Sequence, residues 1–277
     1  MNRNRRRIAR TGIAAGALAA LVLLAGCASE SAPKPSESAK PSATAEVSGT
    51  LTVSAAASLQ PAFEQLTADF TKLHPGVTFE KTTFDGSSVL ATQIIGGAPV
   101  DVFASADAKN MQKVVDAKLA DGAPVSFATS RLEIAVAPGN PLGIKTLADL
   151  AQAGADGKKP VVVICAPEVP CGNAAKQLLD RDKVALTPAS EEQNVTAVLT
   201  KVRAGEADAG LVYRTDVMRA GAEVTGVSIP GAEEAAGKYL IVPIVGSKSA
   251  DAAKAFSEYL RSDAAQSLLE KLGFSPA

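Results

Sequence analysis

From Leu51 onward, short apolar, β-branched runs alternate with segments whose apolar positions recur every three or four residues. "LTVSA" reads as a buried strand. Phe63, Leu66 and Phe70 then fall at helical spacing, and "HPGV" ends that helix at His74-Pro75. "VTFEKTTF" alternates as a strand, "SSVLATQIIGG" reads as a short helix stopped by Gly96 and Gly97, and "VDVFAS" as a buried strand. Asp107 suits the N-cap of "AKNMQKVVDAKL". A second series follows: "LEIAVAP" (strand), "TLADLAQ" (helix), "PVVVICAP" (strand), "CGNAAKQLLDR" (helix), "NVTAVLTKVRAG" (helix, with Val195, Val198, Leu199 and Val202 on one face) and "AGLVY" (strand). "YLIVPIV" is a further strand, and "DAAKAFSEYL" and "AAQSLLEKLGF" are closing helices. Such alternation predicts parallel-rich sheets covered by helices, and its length favours two α/β lobes over one sheet.

The N-terminus breaks this pattern. "MNRNRRRIAR" carries five arginines, an apolar run follows, and "LAGC" closes it at Cys27. The run is short for a membrane span, which takes about 20 residues, and reads as an export signal over 1–26. Leu24-Ala25-Gly26-Cys27 resembles the lipobox of bacterial lipoproteins, which implies that Cys27 is lipidated and becomes the first residue of the mature chain. Residues 27–48 are rich in Ser, Ala, Pro, Lys and Glu. They carry too little apolar surface to fold, and read as a tether holding the domain about 25 Å from the bilayer.

Charge narrows the function. The 28 basic and 29 acidic side chains leave a net charge of −1, and no Lys/Arg cluster follows the signal, so nucleic acid is not an expected partner. The single histidine, His74, sits in a turn before a proline, and no His/Cys/Asp cluster has metal-ligand spacing. "IIGGAP" lacks the lysine of a P-loop. With three tyrosines and no tryptophan, neither an aromatic cage nor a tyrosine-built ferric site is expected. Cys165 and Cys171, close together in an exported chain, are expected to form a disulfide. An enzyme is not predicted, nor a cofactor.

One stretch suggests a chemistry. In "VSAAASLQPAFEQL" a buried strand breaks into small residues and Ser58 just before an amphipathic helix. A helix start leaves backbone N–H groups unpaired, and small side chains let an anion approach them. On residue chemistry alone Ser58 and Ser87 serve equally well as N-caps, Val195 as core and Tyr213 as a rim aromatic.

"AAASL" after the first strand, "FDGSSVLATQIIGGAPVDVFASAD", "APEVPCG" and "GLVY" occur in order across Leu51 to Phe274. In this they resemble the molybdate-binding proteins of bacterial ABC importers. The resemblance implies a two-lobed type II periplasmic-binding-protein fold with the ligand between the lobes, lobe I taking 49–128 plus 242–277 and lobe II 129–241. It implies capture of molybdate or tungstate, held as the oxyanion without direct side-chain ligands to the metal. Delivery to a membrane permease follows, by a monomer held at the outer face of the cell membrane through its lipid anchor. Five positions carry over as the binding set: Ser58, Ser87, Cys171, Val195 and Tyr213.

Molybdate carries no proton at neutral pH, so a fitting site is built of donors alone. Ser58 and Ser87 offer hydroxyls, Cys171 and Val195 backbone N–H groups, and Tyr213 a phenol. Two positions depart from the family pattern. Asp85 precedes Gly86-Ser87, and a carboxylate beside a dianion repels it unless turned away. Cys171 replaces a smaller residue where only the backbone is needed. The alternatives are a receptor for phosphate or sulfate, and an envelope or sensing lipoprotein of the same fold that transports nothing.

Overall fold

The computed structural model describes residues 47–154 and 157–277. The expected signal segment, the Cys27 lipidation site and the tether up to residue 46 lie outside the described residues. In chain order, the first half contains β1 (Gly49–Leu51), β2 (Val53–Ala56), α1 (Gln60–Leu73), β3 (Val77–Phe79), β4 (Thr83–Asp85), α2 (Ser87–Ile95), β5 (Val102–Ser105), α3 (Ala108–Asp116) and β6 (Val125–Ser130). There follow β7 (Leu132–Val136), β8 (Val162–Cys165), α4 (Pro170–Arg181), β9 (Ser190–Glu192), α5 (Val195–Arg203), β10 (Ala209–Tyr213), α6 (Arg214–Ala220) and β11 (Thr225–Ser228). The chain ends in β12 (Gly237–Pro243), α7 (Ala250–Tyr259) and α8 (Asp263–Lys271).

Two five-stranded sheets form, ordered β4-β2-β5-β12-β6 and β11-β7-β10-β8-β9. In the first, β2 runs parallel to β4 and β5, and β12 is antiparallel to both its neighbours. In the second, β8 runs parallel to β9 and β10, and β7 is antiparallel to both its neighbours. Each sheet therefore has one reversed strand among four that share a direction. The chain crosses between the sheets at Arg131 and again after β11. Every residue of β12 pairs in the first sheet, from Gly237 opposite Ser130 to Pro243 opposite Val102. The expected lobe change after residue 241 thus falls inside a strand, because Tyr239, Leu240 and Ile241 continue its ladder.

The helices form where the apolar spacing placed them. In α1, Phe63, Leu66 and Phe70 are fully buried on one face, Pro61 sits in the first turn where its missing N–H costs nothing, and Pro75 bars continuation. Gly97 follows α2 at φ +91°, a conformation open to glycine without strain. Asp107 caps α3, its Oδ1 accepting the Asn110 N–H at 2.9 Å. Two segments differ from expectation. "VTFEKTTF" splits into β3, which pairs with β1, and β4, which pairs with β2. "TLADLAQ" forms only a 3-10 turn at Ala148–Leu150, where Asp149 accepts the N–H groups of Lys145 and Thr146 at 2.8 and 2.9 Å and holds a turn instead of a helix.

Each sheet has its own core. One face of the first sheet carries Phe63, Phe70, Phe127, Tyr239 and Phe256, with Phe63 and Phe256 edge to face at 5.9 Å. The other face packs Leu90, Ile94, Phe103, Met111 and Val242. The second core gathers Ile134, Val163, Leu178, Val198 and Leu211, and Ala57, from the turn before α1, packs into it. That turn therefore spans from one lobe to the other. Among the described residues no helix is long and apolar enough to cross a membrane.

Candidate functional site

Between the two sheets lies a small cavity lined by Ser58, Ser87, Cys171, Val195 and Tyr213, together with Asp85, Gly86, Asn194 and the apolar Ala56, Ala57, Ala106, Val169 and Pro170. Among the described residues no lysine or arginine lines it. Ser58 lies in the 3-10 turn Ala57–Leu59 that opens α1, Ser87 is the first residue of α2, Cys171 the second of α4 and Val195 the first of α5. N–H groups at these positions have no acceptor inside their own helices, and the aligned peptide dipoles place partial positive charge at the same ends.

The hydroxyls are oriented by partners behind them. Ser87 Oγ accepts the Ala106 N–H at 3.0 Å, so its own hydrogen remains to be donated. Ser58 Oγ and Tyr239 Oη are 2.8 Å apart and both are buried. When Tyr239 donates, the Ser58 hydrogen is likewise free for the cavity. Tyr213 closes β10 with its ring against Gly237, where a Cβ would stand 3.0 Å from its Cε1 and 3.1 Å from its hydroxyl. The Tyr213 side chain is 1% exposed, yet its hydroxyl has no protein partner. A buried hydroxyl without a partner loses its hydration uncompensated, and Tyr213 lines the cavity. Burial, and then the charges of Tyr239, Asp107 and Asp216, push its ionisation well above 10. It stays protonated. Asp216 anchors the Tyr213 backbone by accepting its N–H at 3.2 Å; burial raises its own pKa to about 6, against the opposing pull of Arg219.

Cys165 and Cys171 are joined by a disulfide with Cα atoms 5.7 Å apart, and both are buried. It ties the end of β8 to the start of α4. Gly172, next in the chain, sits where a Cβ would come within 2.0 Å of the Ala166 carbonyl oxygen, so the folded-back loop requires glycine there. Asp85 lies at the cavity edge, its Oδ1 accepting the Gly86 N–H at 2.7 Å and the Asn194 side-chain amide at 2.8 Å. Its charge is met by donors. A second link between the lobes runs from Asn110 Nδ2 to the Glu168 carbonyl at 3.2 Å.

The structure thus brings all five sequence-predicted residues to one cavity. Sequence reasoning missed Tyr239, Asn194 and Gly86. Asn194 was legible as an N-cap ahead of "VTAVL", and its side chain indeed accepts the Ala197 N–H at 2.9 Å. Tyr239 reaches Ser58 across 181 positions of chain, a distance no local pattern reports. Among the described residues no group of three or more His, Cys, Asp or Glu side chains is placed to hold a metal ion.

The family described as bacterial extracellular solute-binding protein matches residues 51–275. Over 221 residues the chain is 42% identical to a molybdate-binding protein, ModA, of Mycobacterium tuberculosis, covering 80% of this chain and 82% of that one. The fold is similar to that of the periplasmic molybdate-binding protein of Azotobacter vinelandii (TM-score 0.67, 21% identity, 82% of this chain and 99% of that one). It is also similar to the sulfate-binding protein SubI of Mycobacterium tuberculosis (TM-score 0.71, 18% identity, 82% and 87%). At those identities the two structures speak for the two-lobed fold, and the fold is shared by receptors of different anions.

Proposed function

Because the chain belongs to the molybdate-binding proteins among the bacterial extracellular solute-binding proteins, we propose that it captures molybdate or tungstate in the cavity between its lobes and hands it to an ABC importer. It is an extracytoplasmic solute receptor and not an enzyme, and the oxyanion is its cargo rather than a cofactor. The observation that carries the choice of ligand is the donor set. Two serine hydroxyls, the Tyr213 phenol and the N–H groups of Cys171 and Val195 line one cavity without a cation.

Such a site selects by proton count and size. Phosphate near neutral pH keeps a proton that needs an acceptor, and an unpaired buried donor costs about 1–3 kcal/mol. Asp85, the acidic residue on the wall, is turned to Gly86 and Asn194 through Oδ1, and an anion carrying a proton would need its Oδ2. Sulfate has no proton but is smaller than molybdate, so discrimination against it rests on size alone. We assign Ser58, Ser87 and the strands around them to one lobe and Cys171, Val195 and Tyr213 to the other, the chain crossing at Arg131 and ahead of β12. Lobe closure then brings both donor groups onto one anion. The protein acts as a monomer, anchored by lipid on Cys27.

Calorimetric titration of the mature domain with molybdate, tungstate, sulfate and phosphate at neutral pH tests the ligand. Tight binding of the first two, weak sulfate and undetectable phosphate are expected; phosphate binding tightest would replace this reading with the rival one. Mass spectrometry of the mature N-terminus tests the anchor, which predicts a lipid-modified Cys27 in the wild type and no lipid in Cys27→Ala.

A further inference from the structure

Asp85 poses a problem that the donor set does not solve. It places a carboxylate on the wall of a cavity assigned to a dianion, where like charges repel. Its side chain is nonetheless held in place by two bonds, both to Oδ1: the Gly86 N–H at 2.7 Å and Asn194 Nδ2 at 2.8 Å. Asp85 ends β4 of the first sheet, and Asn194 precedes α5 of the second lobe, so the second bond spans the cleft. The Asn194 amide cannot easily turn away. Its Oδ1 accepts the Ala197 N–H at 2.9 Å and caps α5, which leaves Nδ2 facing Asp85. The backbones meet at the same point, since a Cβ on Gly86 would stand 2.1 Å from the Gln193 carbonyl oxygen.

We propose that the Asp85–Asn194 bond is an interlobe latch that sets how long the captured anion stays, deepening the capture reading on which it rests. It exists only when the lobes are together, so it slows release without taking part in the first encounter. A charged acceptor makes the bond roughly twice as strong as a neutral one, and the two donors on Oδ1 offset the repulsion that the bare carboxylate would exert on the ligand. Asp85 and Asn194 are positioning residues in this account. They hold the lobes and leave recognition to the five donors.

Stopped-flow measurement of molybdate association and dissociation, with ligand-free melting temperature as a control, tests the latch in four variants. Asp85→Ala loses the acceptor. Asn194→Ser keeps an N-cap on α5 but is too short to reach Asp85. Both are expected to speed dissociation about 10-fold or more, with association no slower than wild type and the ligand-free melting temperature lowered by no more than about 4 °C, Asp85→Ala also losing its bond to the Gly86 N–H. Asp85→Asn keeps an acceptor for Asn194 and drops the charge, so its release should fall between that of wild type and that of Asp85→Ala. The double variant Asp85→Ala/Asn194→Ser should dissociate no faster than the faster single one, because both remove the same bond. The latch is overturned if both single variants stay within about twofold of wild type, if their effects multiply in the double, or if Asp85→Asn releases as fast as Asp85→Ala. A wild-type protein that takes up no molybdate overturns the capture reading itself, a result distinct from molybdate bound with an unaltered release rate.

Discussion

The two lobes hold the same cavity by different chemistry. The first contributes side-chain hydroxyls, Ser58 and Ser87, each with its oxygen fixed from behind, by Tyr239 and by the Ala106 N–H. The second contributes chiefly backbone, the N–H groups at the starts of α4 and α5, with the Tyr213 phenol beside them. Backbone donors are indifferent to residue identity but depend on the path of the chain, which explains the scaffolding around them: the Cys165–Cys171 disulfide, the close-packed Gly172 and the Asn194 cap. The first lobe should therefore be sensitive to deletion of side-chain atoms, and the second to displacement of its backbone.

The most severe way to break this arrangement is to keep the lobes from meeting. Gly86→Ala drives a Cβ into the Gln193 carbonyl across the cleft, and should cost about 3 kcal/mol of molybdate affinity while leaving the ligand-free melting temperature nearly unchanged; calorimetry and a melt read the two. Deleting single donors should cost less. Ser58→Ala, Ser87→Ala and Tyr213→Phe are each expected to weaken binding by roughly 1.5–3 kcal/mol, the range for hydrogen bonds to a charged group. Tyr213→Phe carries a further signature. It removes a buried hydroxyl that has no protein partner, so the ligand-free protein should melt no lower than wild type even as affinity falls.

The second lobe is tested through its backbone supports. Replacing Cys165 and Cys171 together by alanine opens a short loop, worth about 2 kcal/mol of stability by the chain-entropy estimate. Affinity should also fall, by about 1 kcal/mol, through the loosened Cys171 N–H. Denaturant titration and calorimetry separate the effects, and unchanged affinity would mean that the loop holds its shape alone. Asp216, under Tyr213, has a folded pKa near 6 against an ordinary 3.8. It binds more protons folded than unfolded between those values, so its contribution is complete below about pH 4 and is lost as pH rises through about 6. A pH series of urea melts should show this loss, roughly 3 kcal/mol at most, and Asp216→Asn should flatten it. The smallest change is expected at Val195→Ala, where only the side chain is cut. Molybdate affinity should stay within about twofold although the buried valine is lost from the core.

The same division decides what the sequence made legible. The βα alternation and the helix ends were readable because they rest on local spacing, caps and prolines, as at Phe63, Leu66, Phe70 and Pro75. The five cavity residues were recognisable in order through their resemblance to a family, and as residues alone each had an ordinary structural reading. What stayed hidden was set by contacts distant in sequence. Tyr239 pairs with Ser58 from another strand of the sheet, and Asp85 turns out to face an amide on the opposite lobe. The short edge strands β9 and β11 carry too few residues for a period to show. "TLADLAQ" has helical spacing, but Asp149 captures the turn first.

A crystal structure of the protein soaked with molybdate tests the central claim most directly. The account predicts one anion in the cavity, with its oxygens within hydrogen-bond distance of the Ser58, Ser87 and Tyr213 hydroxyls and of the Cys171 and Val195 N–H groups, and with Asp85 still turned to Asn194. An anion bound elsewhere, or held in the cavity with the Asp85 carboxyl group facing it as an acceptor, would contradict it.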